Sequence, residues 1–301
     1  MTGDGRRAAA YAALLTVTAI WGLTFVLIKD VTDRWSGHQF TFNAIRFWIA
    51  TLAFAPFLVC AKPIAGAQPR LGAGVFAGLA LFGGYALQTA GIGLTTPSIA
   101  GFLTGLCIVF VPIGAALLGR PVSRHALAGL AIALPGMVLM SLDPKELRIG
   151  VGELLVVGCA ISFAVQILVV DRHARNVDPI RFTALQCLVT AVAKTLVSVT
   201  VELPRGGLPT LDAGVVGAAL FCGLFATTLA FAVQTAVQRS IPATGVAVVF
   251  ATEPLFAATA SWALRGEVLT WQILVGGAAI LTGILWTELG PRLRAVRAQS
   301  R

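Results

Sequence analysis

The sequence predicts an all-α integral membrane protein whose ten transmembrane helices form two inverted five-helix repeats. Three observations carry that prediction. The mean hydropathy is +0.87, with 57% hydrophobic and only 12% charged residues. Ten apolar stretches follow one another, separated by short polar or charged connections. A series of paired motifs recurs in the same order in the two halves of the chain.

A water-soluble domain keeps its surface wet with about 25% charged residues. At 12% the charge supply is too small for that, so lipid is the solvent for most of this chain. The net charge of +9 does not point to nucleic acid, because the basic residues lie between apolar blocks instead of forming one face; they read as topology signals at membrane edges. The five cysteines, Cys60, Cys107, Cys159, Cys187 and Cys222, mostly sit inside apolar runs without metal-binding spacing, which suits small buried hydrophobes. His38, His125 and His173 have no nucleophile or metal companions, and no cofactor is expected. Gly72-Ala73-Gly74-Val75-Phe76-Ala77 fits a loose dinucleotide fingerprint, but no strand precedes it.

A helix needs about 20 apolar residues to cross a hydrocarbon core of about 30 Å. In order, the stretches are Ala12–Ile28, Phe40–Val59, Leu71–Thr89, Pro97–Leu118 and Leu127–Leu142. A charged connector over 143–150 follows, and then Val151–Val170, Ile180–Thr200, Ala213–Val237, Pro242–Leu264 and Trp271–Trp286. The first stretch lacks a cleavage signal and reads as a retained helix. The expected organisation is one repeat over 1–142, the connector, a second repeat over 151–290 and a basic tail over 291–301. No room remains for a soluble catalytic domain.

The repeat rests on matched pieces. Ala19-Ile20 corresponds to Ala160-Ile161, Phe40-Thr41 to Phe182-Thr183, and Gln88-Thr89-Ala90 to Gln234-Thr235-Ala236. Pro112 interrupts the fourth stretch as Pro254 interrupts the ninth, and Gly129 and Gly136 match Gly276 and Gly283. An odd number of helices per repeat inserts the second copy from the opposite face, a recurrent build for secondary transporters.

The chain resembles the EamA-type drug/metabolite transporter superfamily over nearly its whole length. The resemblance is carried by Trp21-Gly22-Leu23-Thr24-Phe25 followed by Lys29, by Arg46-Phe47, by Glu253-Pro254-Leu255-Phe256-Ala257, and by Gly266-Glu267. It implies ten helices and the export or exchange of small metabolites, often amino acids or related compounds. Where members often carry Gly-Glu, this chain has Gly119-Arg120-Pro121, which leaves open what pairs at that helix end.

Among candidate substrate-binding residues, Glu253 lies about 16 Å along a helix starting at Pro242, near mid-membrane. An ionisable group there faces a cavity or a partner, and can exchange a proton during transport. The competing reading is that its carboxyl satisfies backbone freed by Pro254. Trp21, Thr24 and Phe25 offer an aromatic face with one hydroxyl, which serves either as packing or as lining for an apolar or aromatic metabolite. Gln166, among apolar neighbours, needs another helix or a ligand as partner. Thr104, and Thr227 with Thr228, place hydroxyls near mid-depth, able to bond the preceding turn or a substrate. Gln88 and Gln234 are expected as interhelical contacts near the two cavity mouths. Lys194 is expected to snorkel outward towards Glu202, and Arg46 to anchor the end of the second helix.

The partners expected are a small-molecule substrate and the bilayer, with proton coupling through Glu253 and no nucleic acid. A membrane enzyme acting on a lipid-linked substrate would want paired carboxylates or a His/Asp cluster at one membrane face, and none is visible. A scaffold or channel subunit is the other alternative. Loop lysines and arginines number about fourteen on the side of the termini against about six opposite, so both termini are expected in the cytoplasm of an inner-membrane protein. Reporter fusions after residue 301 and within 143–148 should therefore report opposite sides. The same side for both would remove the inverted repeat.

Overall fold

The computed structural model describes residues 3–35, 37–60, 64, 66–92, 94, 97–141, 150–207, 209–266 and 270–299. All regular structure among them is helical. The first half contains α1 (Gly3–Arg34), α2 (Gln39–Cys60), α3 (Leu71–Ile92), α4 (Pro97–Gly105), α5 (Cys107–Leu117) and α6 (Arg124–Ser141). The second half contains α7 (Val151–His173), α8 (Pro179–Val197), α9 (Leu203–Gly206), α10 (Ala213–Gly223), α11 (Ala230–Val237), α12 (Ala243–Phe250), α13 (Glu253–Arg265) and α14 (Trp271–Gln299). Ser198–Glu202 joins α8 to α9, and Leu224–Leu229 joins α10 to α11, each as a π-helical segment. The expected connector over 143–148, Lys62 and Glu267 lie outside the described residues.

Seven helical stretches are long and apolar enough to cross a membrane: Arg7–Val31, Gln39–Cys60, Leu71–Ile92, Val151–Asn176, Pro179–Gly206, Ala213–Val237 and Ala243–Leu264. Three of the ten expected spans are shorter apolar helices, Leu103–Leu117, Arg124–Leu139 and Trp271–Thr287. Large apolar side chains such as Leu52, Phe57, Val59, Leu117 and Leu154 point outward, as lipid requires and water would penalise. The chain is a multi-pass membrane protein.

The fourth and ninth stretches, each expected to be interrupted by a proline, are both broken. In the ninth, Pro254 has no N–H to donate to the Phe250 carbonyl, and its ring crowds that turn. The backbone tightens instead: Thr252 N–H donates to Val249 O at 3.0 Å and Leu255 N–H to Thr252 O at 3.0 Å. In the fourth, the break falls at Leu106, whose N–H donates to Leu103 O at 3.1 Å, while Pro112 rides inside α5. Both outgoing half-helices end on a left-handed glycine, Gly119 (φ 70°) after α5 and Gly266 (φ 69°) after α13.

The most extensive helix contacts run across the halves: α14 on α6, α3 on α7 and α8, α2 on α8, and α1 on α13. Lipid supplies no hydrophobic drive between helices, so these contacts depend on close packing. The glycines matched in the sequence meet here. A Cβ on Gly136 would lie 2.6 Å from Gly276 O and from Ala279 Cβ, and one on Gly283 would lie 2.5 Å from Gly129 O.

Backbone groups at helix ends find distant partners. Glu202 accepts from Phe40 N–H (2.7 Å), Thr41 N–H (2.6 Å) and Thr41 Oγ1 (2.7 Å), so the end of the α8 stretch caps the start of α2. Asp171 accepts from Ala243 N–H at 2.9 Å and is also the ion-pair partner of Arg120, the residue that departs from the family pattern. Outside the membrane-spanning segments, Asp212 caps α10; the Val215 N–H and then Arg34 hold its carboxyl below the usual carboxylate range.

The α6–α14 contact yields a direct test. Gly136→Ala should lower stability by about 1–3 kcal/mol through overpacking. Gly217→Ala, where no atom lies within 4 Å, is the control. Equal thermal unfolding midpoints in detergent for the two variants would remove this account.

Candidate functional site

A cavity enters the bundle from the end that carries the α1–α2 turn, where Val31, Trp35, His38 and Ile92 line it, and stops at mid-bundle. It encloses ≈ 1170 Å³ of empty space, its open mouth included. Most of its wall is apolar and aromatic, with a few polar groups from both halves, the usual make-up of a small-molecule site.

The inner wall is organised around Arg46. This arginine is 1% exposed, and its neighbours on the same face of α2, Gln39 and Asn43, also line the cavity. Its Nε donates to Thr227 Oγ1 at 2.6 Å, and its Nη2 donates to Tyr85 OH at 3.1 Å and to Ala226 O at 3.2 Å. The guanidinium carbon lies 5.0 Å from the Tyr85 ring centroid. Nη1 has no protein partner among the described residues. The π-helical segment makes this arrangement possible. Ala230 N–H bonds Phe225 O five residues back, Thr227 Oγ1 donates to Cys222 O at 2.8 Å, and the Ala226 carbonyl accepts from both Arg46 and Trp21 Nε1 (2.8 Å).

From α1, the Trp21 ring packs on Phe231 and edge-on against Phe250, at centroid distances of 5.6 and 4.8 Å. Thr24 returns its hydroxyl to Trp21 O at 2.6 Å, and Phe25 lines the wall one position on. Glu253 enters where α12 gives way to α13. It stands in the first turn of a half-helix, where the helix dipole favours a carboxylate, and makes no hydrogen bond among the described residues. Thr104, beside the α4–α5 break, accepts from Gln88 Nε2 at 3.2 Å. Both helix breaks thus open onto the same cavity.

The opposite end is shut. Leu14, Val17, Ile108, Val111 and the α12 residues Val246–Phe250 form its apolar plug. Across it runs a chain of amides: Gln166 Nε2 donates to Gln186 Oε1 (2.8 Å), Gln234 Nε2 to Gln166 Oε1 and Gln238 Oε1 (both 3.0 Å), and Gln238 Nε2 to Ile167 O (2.8 Å).

Of the residues singled out in the sequence, Trp21, Thr24, Phe25, Thr104, Gln166 and Glu253 all line this cavity. Thr227 stands behind the wall and holds Arg46. Gln88 and Gln234 are interhelical contacts, as expected, but both line this one cavity instead of standing near two separate mouths. Two further expectations are corrected. Arg46 is no anchor at a helix end; it lies inside the bundle, and the polar stripe Gln39, Asn43, Arg46 at helical spacing was the signal for it. Lys194 does not snorkel. It is 0% exposed, because its face of α8 is covered by α2 and α3, and Glu202 is occupied by the start of α2.

The profile of the EamA-like transporter family matches the chain twice, over residues 8–142 and 150–289. An uncharacterized transporter of Archaeoglobus fulgidus is 29% identical over 287 residues, covering 94% of this chain and 87% of that protein. A probable amino-acid metabolite efflux pump of Salmonella typhimurium is 24% identical over 291 residues, covering 93% and 95%. A crystal structure 20% identical in sequence has the same fold, with a TM-score of 0.79 over 95% of this chain and 98% of that one. The protein therefore belongs to the EamA-like transporter family.

Proposed function

We propose that this protein is a secondary transporter that exports or exchanges a small zwitterionic metabolite of the amino-acid kind by alternating access. The observation that carries the reading is that Arg46 and Glu253 line one cavity, which reaches towards the α1–α2 turn. A substrate carboxylate meets Arg46, whose other nitrogens are already fixed by Thr227, Tyr85 and Ala226. A substrate ammonium meets Glu253, and an apolar or aromatic side chain lies along Trp21, Phe25, Phe163 and Phe231. Thr104 and Gln166 supply polar contacts, and Thr24 fixes the Trp21 turn. The name of the Salmonella relative agrees with this class of substrate.

In this reading, ten spans form two inverted five-helix repeats joined over 143–150, with both termini in the cytoplasm. The cavity then faces outward, and the Gln166–Gln234 contact and the apolar plug part when it turns inward. The double family match, the paired glycines of α6 and α14, and the two broken helices at the cavity support the repeat.

The test is uptake into proteoliposomes of an aromatic amino acid, its amine lacking the carboxylate, and its acid lacking the amino group. Arg46→Lys should weaken uptake of the amino acid by about 10–100-fold, the equivalent of one charged hydrogen bond at about 1.5–3 kcal/mol. It should leave the amine nearly unaffected. Glu253→Gln should do the reverse, penalising amino acid and amine while sparing the acid. Variants that scale all three substrates alike would sink the zwitterion reading.

A second test addresses the cavity itself. In a background freed of the five native cysteines, cysteines at Phe25 and Gln166 should react with bulky thiol reagents, and a transported amino acid should protect them. Reaction that is absent with and without substrate would favour plain packing.

A further inference from the structure

Lys194 stands outside the transport cavity yet is as enclosed as any residue in the bundle. It lies fifteen residues from Pro179 and twelve from Gly206 in its membrane-spanning stretch, with no exposed surface. Its Nζ has no hydrogen-bond partner among the described residues. Among the described residues, the amine rests against two ring faces, Phe40 at 4.5 Å and Phe82 at 5.4 Å from the ring centroids.

Neither form of the amine is fully at home there. Burial away from acceptors disfavours the ammonium, and the two aromatic faces favour it. The charged and titratable groups that reach it are Glu202 at the end of its own stretch, Arg46 on α2 and Cys159 on α7. Glu202 uses both carboxylate oxygens on the start of α2, Arg46 repels an ammonium, and α3 offers Phe82.

The location links this balance to movement. Lys194 belongs to the second half of the chain, whereas Phe40 and Phe82 belong to the first. Motion of one half against the other therefore changes what surrounds Nζ. Arg46 also lines the cavity, so a carboxylate bound there relieves its repulsion of the ammonium.

We propose that Lys194 is a proton-binding residue of the transport cycle, losing and regaining one proton as the two halves move against each other. On loss, one N–H bond of the ammonium breaks, its electron pair stays on nitrogen, and the proton passes to water admitted between the parted rings. Uptake reverses the step. The inference rests on the transporter reading.

The chain has four lysines, Lys29, Lys62, Lys145 and Lys194, so side-chain nitrogen labelling of the full protein in nanodiscs gives a spectrum simple enough to assign. Lys194→Met, or Lys194→Arg if the first does not fold, identifies the Lys194 signal by its loss. That signal should titrate separately from the other three, and its midpoint should move when an aromatic amino acid saturates the cavity. In proteoliposomes, both variants should lose about tenfold or more of the uptake driven by a pH gradient while keeping exchange at equal pH. A Lys194 signal fixed in one form, a midpoint unmoved by substrate, or pH-driven uptake unchanged in either variant would overturn the inference. Wild-type vesicles without any substrate exchange would overturn the transporter reading itself, and this inference with it.

Discussion

A charged guanidinium inside a lipid-embedded bundle has to be bound on nearly every side, and meeting that demand at Arg46 organises the centre of this protein. Thr227 and Ala226 come from the second half of the chain, Tyr85 from α3, and Arg46 from α2. Trp21 of α1 joins the same Ala226 carbonyl. Three spans are thus tied to one turn of backbone in a fourth. That turn serves because it is π-helical: the widened register lets a mid-helix carbonyl and a hydroxyl serve other helices without leaving the bundle short of backbone bonds.

The same economy recurs at the helix ends and breaks. Glu202 and Asp171, each from the second half, satisfy the starts of α2 and α12, and both are buried or half-buried carboxylates acting as caps between helices. The two helix breaks lie beside the cavity, and Thr104 and Glu253 stand at them. Polar backbone, polar side chains and free space therefore coincide. The physical cause is that hydrocarbon tolerates irregular backbone only where it lines a cavity or is covered by protein.

Closure of the opposite end uses different means. Apolar side chains from α1, α5 and α12 pack there, and amides on α7, α8 and α11 bond to one another. Gln186 Nε2 and Gln234 Oε1 are left without partners among the described residues, so this amide chain is not at its full bonding capacity. An interface of that kind separates more readily than a saturated one, because part of the polar surface gains partners when water arrives. By contrast, the α6–α14 seam, where glycine backbones touch, has nothing to gain from parting.

The amino-acid sequence by itself determined that the chain is helical, lies in lipid and belongs with transporters, because hydropathy, loop charge and the paired motifs are local or periodic properties that need no partner to be read. It also marked part of the cavity wall, since an aromatic, amide or carboxyl group inside an apolar run is conspicuous: Trp21, Gln166 and Glu253 stood out on that ground alone. What only the tertiary structure decided is which helix faces which. The sequence expectation sent Arg46 and Lys194 outward because long cations beside a helix end usually reach water. In the folded protein one is bound by Thr227 and Tyr85 from other spans, and the other is covered by Phe40 and Phe82. The break at Leu106 and the π-helical turn at Thr227 were equally hidden. Each departs from regular helix to serve contacts made by residues far away in the chain, and rotation of a helix about its axis is set by packing rather than by its own residues.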